Sequence, residues 1–124
     1  MSALLKNLFV LSVLVVGPLV STGVHAHAIA IETTPMANAE IIGTRLSIDL
    51  KFNSRIDIGR SRLAVFDAKH LSQTLAINPN AAPNRIQATA TDLTPGDHLL
   101  EWYVLSTDGH ITRGRLKFKV RAQP

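Results

Sequence analysis

Apolar and polar residues alternate in short runs along most of the chain after residue 28, the pattern expected of strands with one face buried. In RLSIDLKF, Leu46, Ile48, Leu50 and Phe52 alternate with Arg45, Ser47, Asp49 and Lys51, which sets one apolar row on one face. RLKFKV does the same with Leu116, Phe118 and Val120. HLLEWYVL is apolar on both parities, with Leu100, Trp102 and Val104 the bulkier row, and predicts a central, well-covered strand. Shorter strands are expected in AIAIE (28–32), RLAVFD (62–67), TLAI (74–77) and RIQATA (85–90). Turn signals separate them at 35–38, 53–59, 78–84, 94–97 and 108–109, and Gly96, Gly109 and Gly114 read as turn punctuation. About seven short strands with no helical window predict an all-β, antiparallel β-sandwich.

The first thirty residues break this pattern. Lys6 is the only charge before Glu32, and LFVLSVLVVGPLV (8–20) is an apolar run interrupted only by Ser12, Gly17 and Pro18. A bilayer core of ~30 Å needs about 20 residues of helix, so the run is too short to span it and reads as a secretory signal. Small residues at −3 and −1 allow two cuts: after Ala26, with His27 first, or after Ala28, with Ile29 first, the second having the better A-x-A form. The first gives residues 1–26 as signal and 27–124 as one exported domain of 98 residues. That domain carries 12 Lys and Arg against 9 Asp and Glu, since only Lys6 is lost, a net charge of +3. Its cations are single residues scattered through strands, which predicts solvated strand faces and no nucleic-acid binding. Cysteine is absent, so zinc-finger and thiolate chemistry are excluded and no disulfide supports the fold.

VHAHAIA, residues 24–30, places a histidine where the cut can make it an amino terminus. Histidines stand at 25, 27, 70, 98 and 110. His110 lies in STDGHITRG, a hairpin loop in which Asp108 and His110, two apart, aim at one point if the backbone there is extended. Alternatively Asp108 caps its own turn and His110 is simply exposed. If His27 begins the processed chain, its α-amine and ring close a chelate, and with Asp108 and His110 the donors become three nitrogens and one oxygen. That set suits tetragonal Cu(II). A methionine-built Cu(I) site is excluded by counting, because after residue 26 the chain keeps only Met36. His70 reads as an exposed loop residue, His98 as packed on the Leu100–Trp102 row, and Trp102 as core. No Ser-His-Asp arrangement, paired catalytic carboxylates or glycine-rich phosphate loop is evident.

The order HAIAIETTP, an alternating strand ending in Phe52, and GDHLLEWYVLSTDGHITRGRLKFKV with its Trp102, Ser106, Asp108 and His110 resembles the CopC family of periplasmic copper-binding proteins. The resemblance covers essentially all of 27–124. It implies an Ig-like, cupredoxin-like Greek-key sandwich and places the first histidine eight residues before Pro35, at His27, which selects the cut after Ala26. By the same resemblance the Cu(II) ligands would be His27 through its amine and imidazole, Asp108 and His110. The implied role is a periplasmic carrier or buffer of the copper ion, not an enzyme, acting as a monomer and passing copper to an inner-membrane copper transporter. Two departures stand out. RLAVFDAKHLSQTL lacks the methionines that hold Cu(I) in many relatives, and the F-S-E that many carry after the alternating strand is Phe52-Asn53-Ser54 here. Two other readings compete: a copper monooxygenase built on an N-terminal histidine brace, and a sandwich that binds no metal.

Overall fold

The structure, a computed structural model, describes Gly17 and residues 28–124. The expected signal at 1–26, apart from Gly17, and His27 lie outside the described residues. Eight strands form: β1 (Ala30–Thr34), β2 (Ala39–Ile42), β3 (Leu46–Phe52), β4 (Arg62–Phe66), β5 (Ser72–Thr74), β6 (Arg85–Ala90), β7 (Gly96–Leu105) and β8 (Ile111–Arg121). They make a three-stranded sheet in the order β1-β3-β6 and a five-stranded sheet in the order β2-β8-β7-β4-β5.

The apolar rows do what alternation requires. Leu46, Ile48, Leu50 and Phe52 of β3 and Leu116, Phe118 and Val120 of β8 are buried between the sheets. Leu63 and Val65 of β4, Ile86 of β6, and Leu100, Trp102 and Val104 of β7 add to this core. Each fully buried side chain of this size contributes roughly 1.5–3 kcal/mol by leaving water. β7 is the middle strand of its sheet, as its two-sided apolarity predicts. His98 faces the core from β7, 5% exposed. Its ring stacks on Phe118 with centroids 5.2 Å apart, and its Nδ1 lies 3.0 Å from the Gly96 carbonyl oxygen.

The all-β sandwich is as expected, and the structure corrects it in detail: β1 is Ala30–Thr34 rather than 28–32. β2 is an eighth strand, and it pairs with β8 in parallel, so the sandwich is not purely antiparallel. Its four residues alternate only between half-buried and exposed, and its partner lies at the other end of the chain, so no local pattern marks it. β5 is Ser72–Thr74 rather than 74–77, although Leu75 is buried and donates its N–H to the Leu63 carbonyl at 2.9 Å. β7 starts at Gly96, inside the expected turn. β8 begins at Ile111, four residues before the expected strand, and runs straight through Gly114. Gly114 is therefore not a turn residue. It stands opposite Trp102 in the ladder, and the indole lies where a Cβ at 114 would be. Only glycine leaves room for the ring.

Candidate functional site

The β7–β8 ladder pairs ten residues on each strand, from Gly96↔Val120 to Leu105↔Ile111, and its closed end is the loop 106–110. Ser106 N–H donates to the His110 carbonyl at 2.8 Å and Gly109 N–H to the Ser106 carbonyl at 3.0 Å. Gly109 has φ +91°, the left-handed region that glycine enters without steric cost. The loop is thus a tight turn, and Asp108 and His110 are brought together by its curvature rather than by an extended backbone.

Asp108 is the hub. Its Oδ1 accepts a hydrogen bond from the buried Ser106 hydroxyl, a second from the His110 backbone N–H at 3.1 Å, and faces His110 Nδ1 at 3.1 Å. Its other carboxylate oxygen, Oδ2, accepts none of these bonds. The donors hold the Asp108 carboxyl down from 3.8 to about 2, the Ser106 hydroxyl most strongly, then the His110 N–H and the His110 ring. Asp108 therefore caps its turn and meets the His110 imidazole at once, combining what the sequence posed as alternatives. Both side chains reach solvent, at 45% and 36% exposed.

The same end of the sandwich gathers two further segments. Asp57 N–H donates to the Leu105 carbonyl at 2.8 Å, Thr107 N–H to the Arg55 carbonyl at 3.3 Å, and Ile56 bridges Ser106. Two residues before Arg55, Asn53 ties down the start of the described chain. Its Oδ1 accepts the Ile29 N–H at 2.8 Å while its own N–H donates to the Ile29 carbonyl at 3.0 Å. Ala28, the next residue back, is fully buried within the core cluster.

Chemically, one carboxylate and one imidazole 3.1 Å apart can supply an oxygen and a nitrogen to a divalent transition ion. Two donors make a weak site. Among the described residues no three His, Cys, Asp or Glu side chains come together to hold a metal. His27, the predicted third ligand, lies outside the described residues and immediately precedes Ala28. His70 joins nothing at this end. It is exposed, with φ +62°, in the turn after β4 that Asp67 caps through Lys69 N–H and Leu71 N–H. Phe66 pairs with Leu99, so that turn is about six residues, roughly 20 Å, along β7 from the loop. Two contributors escaped the sequence reading. Ser106 was visible only as part of a pattern, and Asn53 only as a departure from one, because each acts through a contact that spacing does not reveal.

The CopC domain family model matches residues 30–121. Protein YobA of Escherichia coli strain K12 is 32% identical over 106 residues, 83% of this chain and 86% of that protein, as is protein YobA of Shigella flexneri. Among solved structures, CopC from Methylosinus trichosporium OB3b superposes with a TM-score of 0.70 at 22% identity, covering 79% of this chain and 97% of that one. PcoC, a methionine-rich copper resistance protein from Escherichia coli, superposes at 0.63 and 22% identity, covering 77% and 100%. At such identities the structures bear on the fold, an Ig-like β-sandwich.

Proposed function

The chain belongs to the CopC family, and from that premise we propose that it is a periplasmic Cu(II)-binding protein, a carrier or buffer rather than an enzyme. Removal of 1–26 exposes His27, whose α-amine and imidazole join Asp108 and His110 around the ion. The observation that carries this reading is the convergence of Asp108 and His110 at the end of the sandwich where Asn53 holds Ile29, two residues after His27. The full burial of Ala28 supports the cut after Ala26, since a cut after Ala28 would remove a core residue. Copper here is cargo. Asp108, ionised down to about pH 2, provides a constant anionic donor. The nitrogens compete with protons, so acid releases the ion and neutral pH takes it up. The recipient in this reading is an inner-membrane copper transporter. Methionine-rich relatives such as PcoC differ from this chain, which keeps only Met36 beyond the signal.

Cu(II) titration with EPR of the exported, processed protein tests the proposal. One equivalent should bind with a nitrogen-rich tetragonal signal, weakened by His110→Ala and Asp108→Asn and lost when an extra residue precedes His27. Material with His27 confirmed as its first residue that takes up no stoichiometric Cu(II) would overturn the assignment.

A further inference from the structure

The cations that look scattered in the sequence are gathered by the fold. Arg113, Arg115, Lys117, Lys119 and Arg121 occupy every second position of β8, all exposed and all turned away from the core. Eight rises of about 3.3 Å make this row roughly 26 Å long. With Arg62 of β4, the strands of the five-stranded sheet carry six cations against three carboxylates, Glu40, Asp97 and Glu101. The strands of the opposite sheet are balanced: Lys51 and Arg85 against Glu32 and Asp49, with Arg85 bonded to Asp49 at 3.0 Å. The described loops balance too, Arg45, Arg55, Arg60 and Lys69 against Asp57, Asp67, Asp92 and Asp108. The whole net charge of +3 thus stands on one sheet face.

Most of that charge is uncommitted. Arg121 meets Glu40 at 3.3 Å, but both are more than half exposed, a pairing of little strength. Arg113 lies 5.3 Å over the Tyr103 ring. Asp97 and Glu101 stand opposite Lys119 and Arg115 in the ladder, yet among the described residues Arg115, Lys117 and Lys119 close no ion pair. Half-buried Phe66, Leu99 and Tyr103 face outward beside the row.

We propose that this basic face of the five-stranded sheet docks on an anionic phospholipid surface. A row of exposed cations, three of them in no ion pair among the described residues, flanked by half-buried apolar side chains and set against a neutral opposite face, orients the molecule toward an extended plane of negative charge. Laterally mobile lipid phosphates match such a row at any spacing, whereas a folded protein partner would need carboxylates fixed in register with it. The loop 106–110 stands at one end of the row. The proposal does not require copper.

Cosedimentation of the exported, processed protein with vesicles tests it, using phosphatidylcholine alone and phosphatidylcholine with a third phosphatidylglycerol, at low and at near-physiological salt. Binding is expected to the anionic vesicles only and to weaken with salt. At about fivefold per cation near the surface, Lys117→Glu with Lys119→Glu should lower the partition coefficient by roughly 25-fold or more. Arg45→Glu with Arg60→Glu, the same change in net charge placed off the face, should lower it far less. Equal losses in the two double variants, equal binding to neutral vesicles, or no binding to anionic vesicles at low salt would overturn the proposal. The last result would turn attention to an acidic protein surface as the occupant. Apo protein suffices, so failure here leaves the Cu(II) reading standing, and failure of Cu(II) uptake leaves this one.

Discussion

Replacing Ser106 with alanine removes the contact that dominates the electrostatics of the loop, together with the hydroxyl's bonds to the His110 carbonyl at 3.1 Å and the His110 N–H at 3.2 Å. The Ser106 hydroxyl is buried and donates to Asp108 Oδ1, and it is the largest of the influences holding that carboxyl at about 2. Without it the His110 N–H and ring remain, so the carboxyl should rise from about 2 toward 3.8. The two limits differ measurably: at pH 3 a carboxyl of pKa 2 is about 90% ionised and one of pKa 3.8 about 14%. The sign of the linkage follows. A folded value below the unfolded one stabilises the fold above about pH 4, and that contribution is lost as pH falls toward 2. In Ser106→Ala this acid-limb loss should shrink, because folded and unfolded values come closer together. Carbon-detected NMR titration of the Asp108 carboxyl in the apo protein reads the shift directly. A wild-type Asp108 that titrates near 3.8, or a Ser106→Ala value no higher than wild type, would refute the hub geometry.

Three other outcomes are expected. Gly114→Ala drives a Cβ into the Trp102 indole and should cost about 1–3 kcal/mol, as overpacking does, lowering the melting temperature by roughly 5–20 °C in thermal unfolding followed by Trp102 emission. Asn53→Ala removes the acceptor of the Ile29 N–H, and the loss of one modest hydrogen bond should lower the melting temperature of the apo protein by roughly 3–8 °C and, by loosening the segment next to His27, weaken Cu(II) binding by about three- to tenfold. Between pH 7.5 and 5 Cu(II) affinity, measured by chelator competition, should decline through protonation of the nitrogen donors while Asp108 stays ionised; a flat profile would contradict that donor set.

Legibility in the sequence tracks how local the cause is. Period-two alternation is local, so the buried rows of β3 and β8 and the core placement of Trp102 and His98 could be read directly. β2 could not, because its pairing is with a strand at the far end of the chain, although Asn38 at φ +64° and Gly43 at φ +102° mark its ends. Gly114 misled because a glycine usually signals a turn, and only the cross-strand indole explains one inside a strand. Asp108 and His110 were legible from spacing, but not the turn that joins them or the Ser106 hydroxyl beneath them. The basic row was present at alternate positions, but its meaning depends on charge balance across the opposite sheet, which no window of sequence contains.

The core and the loop are coupled through register. Sliding β8 by one residue against β7 would turn Arg115, Lys117 and Lys119 into the sandwich and Leu116, Phe118 and Val120 out to solvent, so the core tolerates only one alignment. Gly114 narrows it further, since the residues on either side of it, Arg113 and Arg115, could not lie under Trp102. With the ladder fixed down to Leu105↔Ile111, the five intervening residues have one length to span. The turn that presents Asp108 to His110 is therefore held by packing many ångströms away. A short polar loop that looks free to vary inherits its geometry from the apolar face of the two strands it joins.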